Sequence, residues 1–144
     1  MPSFTQVVAN LSGTGPIVEV VVGASSLFAQ VMARKGLPIP SPVKALAMVD
    51  TGASSTVIAP SVVQALGLQP VGVGQLATPL ATVPLTVPQF NISLGFPGGS
   101  FVQSAIAVEA SLPSQPIQVL IGRDVLAHAV LTYIGYLNQF TISF

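Results

Sequence analysis

The sequence has no cysteine and no tryptophan, and it has a single histidine, His128. Charge is almost as scarce: four cations (Arg34, Lys35, Lys44, Arg123) and four anions (Glu19, Asp50, Glu109, Asp124), or 6% of the chain, against about 25% in an average soluble protein. Without cysteine there is no disulfide framework, no thiolate nucleophile and no cysteine-bearing metal site. One histidine and four carboxylates leave little from which to build a zinc or calcium cage, so neither metal nor cofactor is expected. Four dispersed cations cannot form the basic stripe that nucleic acid requires. Long apolar runs are missing too, although about half of the residues are hydrophobic and mean hydropathy is +0.79. Gly, Pro, Ser, Thr or Gln interrupts every run before the roughly 20 residues of a membrane-spanning helix. The first residues lack a basic stretch followed by a solid apolar segment, so no secretory leader and a cytoplasmic location are expected.

What remains is rich in Val, Ile, Thr and Pro, in apolar runs of strand length. At 144 residues the chain is expected to be one domain spanning 1–144. Strands are predicted over 4–10 and 17–22, with residues 11–15 as a loop between them. A helix follows, capped by Ser25 or Ser26 and closed by Arg34, Lys35 and Gly36. Pro38, Pro40 and Pro42 then impose an extended connector. Residues 43–50 read as a buried strand ending on Asp50, and 55–58 as a short one. A helical turn runs from Pro60 to Gly67. Next comes a long hairpin with its tip at Thr78, Pro79, Leu80 and Ala81. Its return arm carries Pro84 and Pro88, which imply an edge position or bends. Pro97-Gly98-Gly99 marks a turn. Strands are predicted over 101–110 and 115–122, then a short helix capped by Asp124, and a closing hairpin over 131–144.

The chemistry concentrates at Asp50-Thr51-Gly52. A carboxylate at the end of an apolar strand is costly unless something there needs it. Thr51 adds a hydroxyl, and Gly52 permits a sharp turn and close approach to a ligand. Alone, these residues also fit an ordinary turn. His128 has no nucleophile elbow to partner it and reads as a structural or surface residue. The Gly72-Val73-Gly74 pair lacks the context of a dinucleotide loop.

A second segment changes the balance. Residues Val119–Asp124 form another apolar run ending in Gly122-Arg123-Asp124. A hydrophobic strand into D-T-G-A, followed downstream by L-I-G-R-D, resembles the retroviral-type (retropepsin-like) aspartic proteases. The likeness covers roughly residues 16–144, with Thr56 in the strand after the candidate loop and the Pro79 hairpin in the place of a flap. The resemblance implies an all-β retropepsin-like acid protease fold: a closed barrel, a flap hairpin and one to three short helices. It also implies an aspartic endopeptidase in which two carboxylates share a proton and activate water. Only one D-T-G is present, so the second carboxylate must come from another copy of the chain, in a homodimer. By the same resemblance Asp50, Thr51 and Gly52 would be catalytic, with the Thr51 hydroxyl bracing the dyad across the axis. Ala53, Ser54, Ser55, Thr78, Pro79, Leu80 and Ala81 would contact a peptide substrate. Thr56, Ile121, Gly122, Arg123 and Asp124 would support the site.

Several features depart from the viral pattern. Viral sequences often carry an acidic residue where this chain has Ser54, and that residue pairs with the arginine. Arg123, expected to be buried or half-buried, must therefore find backbone carbonyls, Asp124 or a chain terminus. The flap tip is not glycine-rich, the segment over about 24–42 is an insertion, and the C-terminal hairpin is longer than the viral terminal strand. In these respects the chain looks more like cellular and bacterial members. The terminal strands are candidates for a dimer sheet. Two other readings stand beside the protease: an inactive retropepsin-like dimerisation or peptide-binding module, and an unrelated β-domain. An intact D-T-G favours the enzyme.

Overall fold

A computed structural model describes residues 1–112 and 116–144. In chain order the elements are β1 (Ser3–Val7), α1 (Leu11–Thr14), β2 (Ile17–Ala24), α2 (Ser26–Arg34), β3 (Val43–Val49), β4 (Val57–Ile58), α3 (Pro60–Leu66), β5 (Gly72–Leu76) and β6 (Leu85–Gly95). After a 3-10 turn at Pro97–Gly99 come β7 (Phe101–Glu109), β8 (Val119–Ile121), α4 (Arg123–Leu126), β9 (Val130–Ile134), a second 3-10 turn at Gly135–Leu137, and β10 (Gln139–Ser143). Among the described residues no helix is long and apolar enough to cross a membrane.

Seven strands form one sheet in the order β2-β3-β8-β4-β7-β6-β5, and an extra pairing joins β2 to β6. This closes a ring and leaves β5 outside it. The long β6 makes closure possible. Its first half pairs with β5 (Leu76↔Leu85 to Gly72↔Gln89), and its second half pairs with β2 (Ala24↔Ile92 to Val21↔Gly95). Pairing with β7 begins only at Gln89. Pro88, which has no N–H to donate, thus sits where β6 has one neighbour, as its edge-or-bend reading requires.

Alternation supplies the core. Val18, Val20 and Val22 of β2 face inward, as do Ala45, Ala47 and Val49 of β3 and Val119 and Ile121 of β8. The β3 face is therefore a strict every-second-residue pattern rather than a wholly buried strand. A separate three-stranded sheet, β1-β10-β9, packs beside the ring. Its Phe4 stacks at 5.9 Å on Phe96, which directly follows β6, and this ties the two sheets together; Phe4 also meets Phe140 of its own sheet edge-on at 6.4 Å. The terminal strands thus pair with each other within one chain, from Ser3↔Ser143 to Val7↔Gln139.

Several local expectations are corrected. Residues 11–14 form a helical turn, not a loop, because Leu11 is fully buried and its N–H donates to Asn138 Oδ1 at 3.2 Å. The strand expected over 55–58 shrinks to Val57–Ile58, and the first strand ends at Val7 rather than Asn10. The strand expected from residue 115 is seen only over Val119–Ile121, and its predicted start at Gln115 lies outside the described residues. Within the inserted segment the helix forms as read. Ser25 Oγ accepts from Phe28 N–H at 3.3 Å, and Gly36 takes a positive φ of 65° just past the C-terminus. No residue of α2 is buried.

Candidate active site

The parallel pairing of β3 with β8 brings the two motif segments together. Ala47, Met48 and Val49 lie opposite Val119, Leu120 and Ile121. On its other side β8 pairs antiparallel with β4, Val57 opposite Leu120. The chain therefore leaves the sheet at Val49, forms a loop, and re-enters at Val57 on the far side of β8. Asp50 stands where β3 ends, and its backbone N–H donates to Ile121 O at 3.0 Å.

The loop is held at each step. Gly52 N–H donates to Asp50 Oδ1 at 2.9 Å, and Ala53 N–H to Asp50 O at 3.2 Å. Arg123 N–H donates to Ala53 O at 2.9 Å. Beneath it, Thr56 is fully buried. Its N–H donates to Asp124 Oδ2 at 3.0 Å and its hydroxyl to Asp124 Oδ1 at 2.9 Å. The same hydroxyl oxygen accepts from Gly122 N–H at 3.2 Å. Every polar atom of this buried threonine side chain is thereby satisfied. Gly122 is required by contact rather than by torsion: a Cβ there would lie 2.5 Å from Ser55 C and 2.8 Å from Thr56 N. Its φ of −86° is open to any residue.

Asp124 is thus not the helix cap expected of it. Gly122 occupies the N-cap position, α4 begins at Arg123, and the Asp124 carboxylate points to Thr56 instead. Arg123 is exposed, not buried, and its Nη1 donates to Thr51 O at 2.8 Å and Gly52 O at 3.0 Å. Backbone carbonyls replace the missing acidic partner at Ser54.

Asp50 is half-buried and opens into a cleft of about 610 Å³. Gly52, Ala53, Ser54 and Ser55 form one wall of it, and Thr78 and Pro79 of the β5–β6 hairpin overhang it. The tip closes through Ala81 N–H to Thr78 O at 3.1 Å. Leu80 and Ala81, expected to contact substrate, do not line the cleft in the single chain, and Leu80 is 99% exposed. Thr51 is exposed beside Asp50, and its hydroxyl has no hydrogen-bond partner among the described residues. Ile121 and Gly122 are buried under the loop.

Sequence reasoning missed Gln75, Leu120 and the 110–112 segment, all of which line the cleft. Gln75 had a legible signal, since it lies on the flap arm. Residues 110–112 had none: they arrive through the parallel β4–β7 pairing, Ile58 opposite Glu109. His128 lies outside this cleft, beside a second depression lined by Phe101, Val125 and Phe144. Asp50 is the one carboxylate lining the Asp50 cleft among the described residues, and no cluster of three or more possible metal ligands occurs among them.

A family model described as aspartyl protease matches residues 40–125, more than half of the chain, and the chain belongs to that family. The match takes in both the Asp50 loop and the Gly122–Asp124 segment. A comparison with the curated proteins finds no match. Among solved structures, the chain is similar to a retropepsin-like aspartic protease from Rickettsia conorii, with a TM-score of 0.57 and 15% identity over 97% of this chain and 91% of that one. It is also similar to part of the foamy viral protease-reverse transcriptase, solved with an RNA/DNA hybrid, with a TM-score of 0.52 and 14% identity over 83% of this chain and 13% of that one. The fold is retropepsin-like, as the motifs implied.

Proposed function

We propose that the protein is an aspartic endopeptidase whose active site is completed by dimerisation, with Asp50 and the Asp50 of a second copy forming the catalytic dyad. One observation carries this reading: the cleft contains a well-positioned carboxylate and no second one among the described residues. Two carboxylates sharing one proton are needed to act as base and acid together.

In this reading the ionised Asp50 takes a proton from a water held between the two carboxyls. The hydroxide oxygen bonds to the peptide carbonyl carbon while the protonated partner donates to the carbonyl oxygen. The tetrahedral adduct then collapses as the amide nitrogen is protonated and the C–N bond breaks. The Gly52 N–H on Oδ1 orients the carboxylate without blocking its other oxygen. Thr51, with a free hydroxyl beside Asp50, braces the pair across the two-fold axis. Ala53, Ser54 and Ser55 form the floor for an extended peptide, and the Thr78-Pro79 hairpin closes over it. Leu80 and Ala81 reach their contacts only when flap and partner come together.

Mixing Asp50→Asn protein with wild type tests this. Asp50→Asn alone should lose at least about 10³-fold in peptide cleavage, since it removes acid–base chemistry. Equimolar mixing should cut the activity per wild-type chain to about half, because random pairing places half of the wild-type chains in dead heterodimers. Activity that is unaffected by the mutant chain and linear in enzyme concentration would defeat the shared site. A dimer that binds peptides but never cleaves them would favour the non-catalytic module.

A further inference from the structure

The cleft contains one cation, Arg123, and no carboxylate of the chain neutralises it. The four side-chain carboxylates are Glu19, Asp50, Glu109 and Asp124. Glu19 pairs with Lys44 at 3.2 Å, the one salt bridge among the described residues. Asp124, its neighbour in α4, is committed to Thr56 through both oxygens. Asp50 accepts from Gly52 N–H. Ser54, exposed on the same cleft wall, brings a hydroxyl and no charge.

A guanidinium offers five N–H donors in a planar fork. Both hydrogen bonds that Arg123 makes use Nη1, on the carbonyls of Thr51 and Gly52. Among the described residues the Nε–Nη2 edge donates to nothing, and this edge grips a carboxylate through two parallel bonds. An exposed arginine that only braced a loop would be a common finding. This one also lines the substrate cleft, with no other charged residue but Asp50 among the lining side chains.

We propose that Arg123 is a specificity-determining residue that takes a carboxylate of the bound peptide, so that the enzyme prefers substrates with Asp or Glu at one position flanking the scissile bond. The inference rests on reading the Asp50 cleft as the substrate site. The acidic residue lies away from the scissile bond itself, where the ionised member of the dyad would repel it.

The test uses the full-length protein and peptide pairs that differ only by Glu or Gln at each position around a mapped cleavage site. The expected result is one position at which kcat/KM for the Glu peptide exceeds that for Gln by about three- to tenfold near pH 6, the size of a partly desolvated, charge-assisted contact. The ratio should fall to about one by pH 3, as the peptide carboxyl, with an ordinary pKa of about 4.3, becomes protonated. The other titratable groups beside Arg123 are Asp50, which lines the same cleft, and Asp124, the next residue of α4. Their ionisation acts on both peptides of a pair and cancels in the ratio to first order. Arg123→Gln should bring the pH 6 ratio to about one. Because that change also removes contacts to the loop, Ser54→Asp provides a second route: an internal carboxylate should occupy the free edge and abolish the preference. Cleavage of all peptides with no position preferring Glu would overturn the inference and leave the protease standing. No cleavage of any peptide would overturn the protease reading and this inference with it.

Discussion

Thr56 and Asp124 lie 68 residues apart in sequence, and the carboxylate of one accepts both polar hydrogens of the other, at 3.0 and 2.9 Å. Through this pair the strand that follows the Asp50 loop is fastened to the helix that follows β8. The loop is suspended between these two points. Its geometry therefore depends on a contact that involves neither Asp50 nor a substrate.

Removing either partner should be costly. Asp124→Ala leaves a buried N–H and hydroxyl without an acceptor, and we expect a loss of about 2–3 kcal/mol. Thr56→Val keeps the volume but loses the hydroxyl bonds to Asp124 and Gly122, for about 1–2 kcal/mol. The double variant should lose less than the sum, because each change already removes the shared contact. Chemical denaturation of the four proteins measures the cycle. Simple additivity would mean that the pair is not coupled.

Two glycines should respond to alanine for different reasons. At Gly122 the new Cβ would collide with the Ser55 and Thr56 backbone, so Gly122→Ala should cost about 3 kcal/mol or more, or prevent folding. At Gly67 there is open space, but φ is +60°, and Gly67→Ala should cost only about 1 kcal/mol of left-handed strain. Equal costs at the two sites, in thermal or urea melts, would remove the close-approach argument for Gly122.

The Thr51 hydroxyl is exposed and has no partner in its own chain among the described residues. If it braces the dyad across the axis, Thr51→Ser should keep most activity. Thr51→Val should lose about tenfold or more and need a higher protein concentration to reach half-maximal specific activity. Dilution assays beside sedimentation velocity make the comparison. Equal behaviour of the Ser and Val variants would show that the hydroxyl has no such role.

Acid should do little harm to the fold. An ion-paired carboxylate stabilises above its unfolded pKa, near 4, and that contribution is lost as pH falls. Here the one ion pair among the described residues, Lys44–Glu19, is largely exposed, at 75% and 61%, and such pairs contribute about 0–1 kcal/mol. With four Lys and Arg and one His, charge repulsion at low pH is also small. Thermal melts at pH 7 and pH 3 should differ by no more than about 3 °C. Cooperative unfolding between pH 4 and pH 6 at room temperature would contradict this.

Much of the fold was legible because it is local. Ser25 and Gly36 bracket α2, Pro60 and Gly67 bracket α3, and apolar runs of strand length mark β2 and β3, although β3 read as buried and only every second residue of it faces inward. Each is dictated by backbone torsion, capping or side-chain period within a few residues. The motifs around Asp50 and Gly122 were legible as a pair, since Asp50-Thr51-Gly52 alone also fits an ordinary turn and the later Gly122-Arg123-Asp124 segment tips the balance.

The partners of those residues were not legible. Asp124 read as a cap because its position suits one, yet its carboxylate turns to Thr56, which the antiparallel β4–β8 pairing brings within reach. Arg123 read as buried or half-buried, with backbone carbonyls, Asp124 or a chain terminus as candidate partners; it lies exposed, and the fold selects the carbonyls of Thr51 and Gly52. The 110–112 wall of the cleft exists only because β7 runs parallel to β4. By itself the sequence determined which residues carry chemistry and that one chain contains a single D-T-G. Tertiary structure alone decided what each of them touches, because a hydrogen bond across 68 residues depends on strand register, and register is set by the packed core as a whole.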